Sequence, residues 1–292
     1  MASNLSGLID LHIHSNASDG TNSPEEIIDI AVRSGISAIS ITDHDTLDGV
    51  KKILEKGIPD SLDFLTGVEI SSAPPKGCYC SGSFHILGYG VDPDNRELLD
   101  VLTKQKQARL DRNPKMLDRL SSLGLKIALS DVEAEASGGQ PGRPHIAVCM
   151  VKAGYVRSLE EAFDKYLAKG RPAYVEKEKI PCDKAISVIS KAGGAAVLAH
   201  PGLLRCPHDK PFQSLFDCLC DMGIAGLEAY YSGHSESQVS MFEGLARRKG
   251  LIVTGGSDFH GEMKPDIKIG TGRGSLRVPY LFFLDLKKVL SS

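Results

Sequence analysis

Leu8-Ile9-Asp10-Leu11-His12-Ile13, then Ser23-Pro24-Glu25-Glu26 followed by Ile27, Ile28, Ile30 and Ala31, then Gly35 and Ala38-Ile39-Ser40-Ile41-Thr42: this stretch decides the fold class. The opening apolar run is short and strand-like. Ser23 reads as an N-cap, Pro24 suits the first helical position, and Glu26 completes a capping box. The apolar residues behind it recur at helical spacing, and Gly35 supplies the stop. A second strand follows. The alternation continues through a helix pattern with Val50 and Leu54, and through strand-like runs at 64–70, 85–89, 195–199, 226–230 and 251–254. Helix patterns at 184–192, 212–222 and 235–249 lie among the later runs, closed by Gly193, Gly223 and Gly250. Such β-α alternation predicts a parallel α/β architecture, either open sheet or barrel.

From about 96 to 166 the pattern is mostly helical. Leu98, Leu99, Val101 and Leu102 begin it, a helix over 115–123 stops at Gly124, Ser130-x-x-Glu133 reads as a capping box, and another helix covers 159–167. Residues 100–178 carry 14 basic and 11 acidic side chains, against 20 and 26 elsewhere. We read 96–178 as a helical insertion in an α/β domain formed by 1–95 and 179–292.

The 292 residues hold 34 basic and 37 acidic side chains, a net charge of −3. That balance argues against a protein held to long duplex nucleic acid by bulk charge. No apolar run approaches the roughly 18 residues of a membrane span, and the first residues lack the pattern of a signal peptide. The seven cysteines stand as Cys78-x-Cys80, Cys149, Cys182, Cys206 and Cys218-x-Cys220. That spacing suits reduced thiols in a cytoplasmic protein rather than a disulfide framework.

Six of the nine histidines lie at or just beyond a strand end: His12, His14, His44, His85, His200 and His260. His85 fits least well, because it opens its run. Asp10, Asp19, Asp43, Glu69 and Asp258 keep them company. In a parallel α/β fold the strand C-termini open onto one rim, so residues far apart in sequence converge there. His12 and His14 point the same way from a strand and can grip one ion. Glu69 has two oxygens and can bridge two. A single histidine at a strand end is ordinarily a hydrogen-bonded loop residue. Nine groups on one rim (His12, His14, Asp19, His44, Glu69, His85, His200, Asp258 and His260) read as a metal site. Mixed imidazole and carboxylate donors without cysteine suit Zn²⁺, Mn²⁺ or Fe²⁺, and nine candidates imply two or three ions.

Asp10-Leu11-His12-Ile13-His14, Thr42-Asp43-His44, Gly67-Val68-Glu69, Phe84-His85-Ile86-Leu87-Gly88, Ala199-His200-Pro201 and Gly256-Ser257-Asp258-Phe259-His260 resemble, in order, the motifs of the PHP (polymerase and histidinol phosphatase) family. Gly142-Arg143-Pro144-His145 and the run from Tyr166 to Tyr174 resemble its stand-alone branch of 3′,5′-nucleoside bisphosphate phosphatases and a related 5′–3′ exoribonuclease. The resemblance implies a distorted seven-stranded (β/α) barrel, an inserted helical module over the active site, and a trinuclear centre. One ion would take His12 and His14, with Glu69 and Asp258 bridging. A second would take Glu69, His85 and His200, and a third Asp19, His44, His260 and Asp258. Asp10 and Asp43 would orient imidazoles without touching an ion. Two features depart from the family pattern. The loop holding Pro74, Pro75, Cys78 and Cys80 is long, and reads as mobile rather than metal-binding. Val148 stands where many relatives carry arginine.

These readings give a metal-dependent phosphoesterase acting on a small nucleotide of the 3′,5′-bisphosphate type, with hydroxide generated by the ions as nucleophile. Asp258 and Glu69 serve at the ions, and His234, after a strand, is a candidate general acid. Arg143 is the foremost candidate for a second phosphate, since a guanidinium forks onto one; Lys169 and Arg171 come next. His208 reads as surface. The alternatives are a 5′–3′ exonuclease on short RNA, a histidinol-phosphate-like phosphatase, and a non-catalytic sensor, which the intact ligand set disfavours.

Overall fold

A computed structural model describes residues 7–78, 80–207 and 212–291; His208 lies outside them. Seven strands form a nearly closed barrel in the order β1 (Leu8–Ile13), β2 (Ile36–Ile41), β3 (Asp63–Ala73), β4 (His85–Tyr89), β6 (Ala195–Leu198), β7 (Gly226–Tyr231) and β8 (Ile252–Gly256). A two-residue strand, β5 (Ile180–Pro181), pairs with the far end of β3. The sheet is mixed, not parallel throughout. β4 runs antiparallel to both β3 and β6, and the other ladders around the barrel are parallel. The reason is the connection. Residues 74–84 hold Pro74, Pro75, Gly77 and Gly82 and, among the described residues, no helix, and a parallel crossover needs a longer link, usually helical. The reversal is also why His85 opens its strand and still reaches the rim.

Around the barrel pack α1 (Pro24–Arg33), α2 (Asp48–Lys56), α7 (Cys182–Lys191), α8 (Phe212–Asp221), α9 (Glu236–Arg248) and α10 (Tyr280–Leu290). The capping box of α1 forms as expected, with Ser23 accepting from the Glu26 N–H and Glu26 from the Ser23 N–H. α10 had not been foreseen; it buries Tyr280, Phe282, Phe283 and Leu286.

The middle of the chain holds α3 (Arg96–Ser122), α4 (Leu129–Glu135), α5 (Arg143–Lys152) and α6 (Leu159–Ala162), the last continued by a π-helical turn over Phe163–Leu167. α3 runs unbroken through Pro114, where two helices were expected. The Ser130 capping box does not form, because α4 begins at Leu129 with Ala128 as its N-cap. Leu98, Val101 and Leu102 of α3 join the barrel core. Met116, Leu117 and Leu120 join a second core with Val132, Ile146, Met150, Ala162 and Leu167. Between these apolar ends the buried side chains of α3 are Gln105, Arg109, Arg112 and Asn113.

The barrel closes where β8 and the residues after it meet β1. The Asp258 N–H donates to the His12 carbonyl at 2.8 Å and the His14 N–H to the Phe259 carbonyl at 2.9 Å. Gly256 makes the close approach possible, since a Cβ there would overlap the backbone N and Cβ of His12. Gly256→Ala is expected to cost about 2–3 kcal/mol, the overpacking range. Urea unfolding checks this, and an unshifted midpoint would mean that the seam yields freely.

Candidate metal centre

Each candidate ligand is delivered by local structure. His12 lies in β1 and His14 just past it, on the same side of the strand. His44 follows β2, Glu69 lies in β3, and His200 follows β6. Asp258 and His260 follow β8. Asp19 comes from a loop pinned by Asp43, whose carboxylate accepts from the Ser15 N–H and from the hydroxyls of Ser15 and Ser18. Asp10 accepts from the Ser257 and Gly270 N–H groups. Neither Asp10 nor Asp43 hydrogen-bonds an imidazole. They hold the loops that carry ligands, not the rings. Burial pushes the Asp10 carboxyl up to about 6. His200 (φ 27°) and Asp258 (φ 57°) occupy left-handed backbone, the kind of strain that folds store at functional sites.

Glu69 is the hub. Its Oε1 lies 2.8 Å from His85 Nδ1 and 2.9 Å from His200 Nε2. Its Oε2 lies 2.9 Å from His44 Nδ1, 3.2 Å from His14 Nε2 and 3.5 Å from His12 Nε2. Asp258 Oδ1 lies 3.3 Å from His14 Nε2, 3.5 Å from His260 Nδ1 and 3.6 Å from His12 Nε2. Asp19 Oδ1 lies 3.4 Å from His260 Nε2. All nine predicted ligands therefore converge. Among the described residues three groups could hold an ion: His14, Asp19, His44 and His260; His12, His14 and Glu69; and His44, Glu69 and His85. None contains a cysteine.

The electrostatics match that use. Burial alone would lower His12 and His14, but Glu228 and Glu69 push His12 well above its ordinary value, and Asp258 and Glu69 raise His14 to about 9. Against the same burial, His44 and its neighbours hold Asp19 and Glu69 well below the carboxylate range, and Lys264 and the imidazoles do so for Asp258. Burial lowers His85 to about 3 and His260 to about 4, so both rings are neutral. The lone pairs of these two rings thus face ionised carboxylates. His14 Nδ1 and Asp19 Oδ1 have no hydrogen-bond partner among the described residues and lie 3.8 Å apart. Divalent cations fit this donor set, and they compete with protons for its imidazoles.

The cluster opens into a cleft of about 550 Å³, a size suited to a small ligand. Its walls include Arg143, Phe163, Leu203, Tyr231 and Lys264. A second cleft shares Asp19, His44, His85 and Arg143, and its lining also includes Arg109, Arg112, Lys169, Lys177 and Lys179. Of the predicted substrate residues, Arg143 faces both clefts. Lys169 sits exposed at the second, 3.8 Å from Glu176. Arg171 is exposed and lines neither. His234 stands apart from the ligands. Its Nδ1 meets the Ala229 carbonyl at 2.8 Å and its Nε2 accepts from the Gly202 N–H at 3.0 Å, so backbone occupies both nitrogens. Cys78 is half-buried, with its Sγ 3.5 Å from Cys218 Sγ. Val148 is half-buried on α5.

Sequence reasoning missed several residues. Glu228, fully buried in β7, accepts the His200 N–H and contacts His12. Tyr231 Oη and Lys264 Nζ both donate to Asp258 Oδ2. Asp45 takes Arg109 at 2.8 Å and Lys177 at 2.7 Å, all three buried. Of these only Glu228 carried a visible signal, a charge inside an apolar strand.

A model of the PHP domain matches residues 10–168, more than half of the chain. The chain belongs to the PHP family. It is 31% identical to the 5′–3′ exoribonuclease Rnm of Escherichia coli, with 91% of this chain and 89% of that protein covered. It is 32% identical to a 3′,5′-nucleoside bisphosphate phosphatase of Chromobacterium violaceum, with 86% and 87% covered. A crystal structure from Bifidobacterium adolescentis, provisionally named a metal-dependent phosphoesterase, superposes with a TM-score of 0.84 at 29% identity, covering 96% of each chain. This PHP protein is accordingly a hydrolase of the metal-dependent phosphoesterase class.

Proposed function

We propose that the protein removes a phosphate from a small nucleotide that carries a second phosphate, of the 3′,5′-bisphosphate type, using two or three divalent ions (Mn²⁺, Zn²⁺ or Fe²⁺). His12 and His14 hold one ion; Glu69, His85 and His200 a second; Asp19, His44 and His260 a third, with Glu69 and Asp258 bridging. Bound there, such ions lower the pKa of water toward neutrality and neutralise phosphoryl oxygens. The chain's own groups do the rest. Lys264 and Tyr231 fix Asp258, and the module 96–178 covers the site, contributing Arg109, Arg112 and Arg143. With both His234 nitrogens on backbone, its role in this reading is to hold the turn at Gly202.

Arg112 carries the reading. The residue is 6% exposed and lines the second cleft. Burial, then Arg109 and Arg143, lower it to about 9. Its acceptor is the amide of Asn113 at 3.3 Å, and among the described residues no carboxylate pairs with it. A buried cation without a counter-charge is costly, and a substrate phosphate offsets that cost. The neighbouring similarity to a bisphosphate phosphatase supports the same substrate. The spacing of the seven cysteines suits a cytoplasmic location, and among the described residues no helix is long and apolar enough to cross a membrane.

Arg112→Met is expected to raise KM for a 3′,5′-bisphosphate nucleotide about 10- to 100-fold, the worth of a charge-assisted hydrogen bond, and to leave KM for a monophosphate unchanged. Equal effects on both would remove Arg112 from phosphate recognition. One observation favours a second reading, exonuclease action on short RNA. Arg143 lies 5.7 Å from the ring centroids of both Phe163 and Tyr174, a wall on which a base can stack. Turnover of a 5′-phosphorylated oligonucleotide far above that of the bisphosphate would establish it instead.

A further inference from the structure

Glu228 is a fully buried carboxylate that touches two of the candidate ligands, and among the described residues it belongs to none of the candidate ion groups. It projects from β7, and both of its oxygens are used. Oε1 lies 2.8 Å from His12 Nδ1. Oε2 accepts the His200 backbone N–H at 2.6 Å. Oε1 is placed to accept a hydrogen bond from His12 Nδ1, the arrangement that leaves the Nε2 lone pair free. That Nε2 faces His14 Nε2 at 3.2 Å, Glu69 Oε2 at 3.5 Å and Asp258 Oδ1 at 3.6 Å. The second contact secures the turn in which His200 takes its left-handed φ of 27°.

We propose that Glu228 is a positioning residue that sets two ligands at once: it fixes the His12 tautomer that offers Nε2 to a cation, and it locks the strained backbone that aims His200 at Glu69. The inference rests on the metal-binding reading above and names a residue that reading does not use. One carboxylate, which lines neither cleft, thereby ties together the first two ions' ligand sets.

Glu228→Gln tests this with shape preserved. The His200 N–H needs an acceptor, so the amide oxygen turns toward it. The amide NH₂ then faces His12 Nδ1, which must accept, and the ring proton moves to Nε2. The lone pair meant for the cation is lost. Affinity for Mn²⁺ or Zn²⁺, measured by titration of the chelated protein, is expected to fall about 10- to 100-fold, the range for groups that orient ligands. Nitrogen NMR of His12, taken at a pH where its ring carries a single proton, should show that proton on Nδ1 in the ion-free parent and on Nε2 in the variant. Affinity within twofold of the parent overturns the proposal, and so does a parent His12 protonated at Nε2 alone. The parent spectrum stands even if the variant does not fold. Neither arm uses a substrate, so a parent that binds ions but hydrolyses no phosphoester would count against the proposed function and not against Glu228.

Discussion

Glu69→Ala is expected to lower phosphate release by about a thousandfold or more, roughly 4 kcal/mol of transition-state stabilisation, and to strip the protein of ions. The magnitude follows from geometry. Five imidazoles lie within 3.5 Å of the two Glu69 oxygens. Asp258 reaches only His12, His14 and His260, and Asp19 sits at the other edge. No remaining carboxylate can take the Glu69 place between the groups, so the loss should persist at saturating Mn²⁺. Chelation of the parent should give the same loss, reversed by adding the ion back. Asp258→Ala should behave likewise while keeping the fold. Elemental analysis and phosphate release on the same samples check this. A Glu69→Ala protein that turns over at near-parental rate would show that hydrolysis happens elsewhere.

The second large effect concerns stability. Asp45→Asn should destabilise the protein by about 3–5 kcal/mol, the cost of removing one partner from a buried ion pair. Arg109 and Lys177 both rest on this carboxylate, and none of the three groups is more than 8% exposed. The two cations hold Asp45 well below the usual carboxylate range against its burial. Asparagine tolerates the left-handed backbone there (φ 56°), so the charge is what the substitution removes. Asp94, 82% exposed beside Lys51, supplies the control; Asp94→Asn should leave the urea midpoint in place, as surface pairs do. Matching midpoints for the two variants would mean that the triad does not hold the helices over residues 96–178 to the barrel.

These two residues also show what was legible beforehand. Glu69 could be found because its neighbours announce it: a glycine, a valine and a strand end, with histidines at the ends of other strands. Most of the nine candidate ligands follow one local rule, polar groups at or near the place where an apolar strand stops; His85, which opens its strand, and Asp19, on a loop, do not. Asp45 obeys it no better than Asp43 or Asp48, and its partners are Arg109 and Lys177. Nothing local in Leu102 to Met116 marks Arg109 and Arg112 as buried. They become so only because α3 runs past Pro114 and spans both cores. The direction of β4 was equally hidden, since its apolar pattern is the same whichever way it runs, and only the connection decides. The surroundings of His234, read from its place after a strand as a candidate general acid, were hidden for the same kind of reason: the backbone of Gly202 and Ala229 meets its two nitrogens.

The seam between β1 and β8 has a consequence for the whole chain. His12 and His14 stand on one side of it, Asp258 and His260 on the other. A divalent ion shared between them is a cross-link that turns nearly the full polypeptide into a ring, and ring closure of that span removes a large share of the unfolded chain's freedom. Ions held there would rivet the barrel shut as well as supply its chemistry, and a single chelator would act on both.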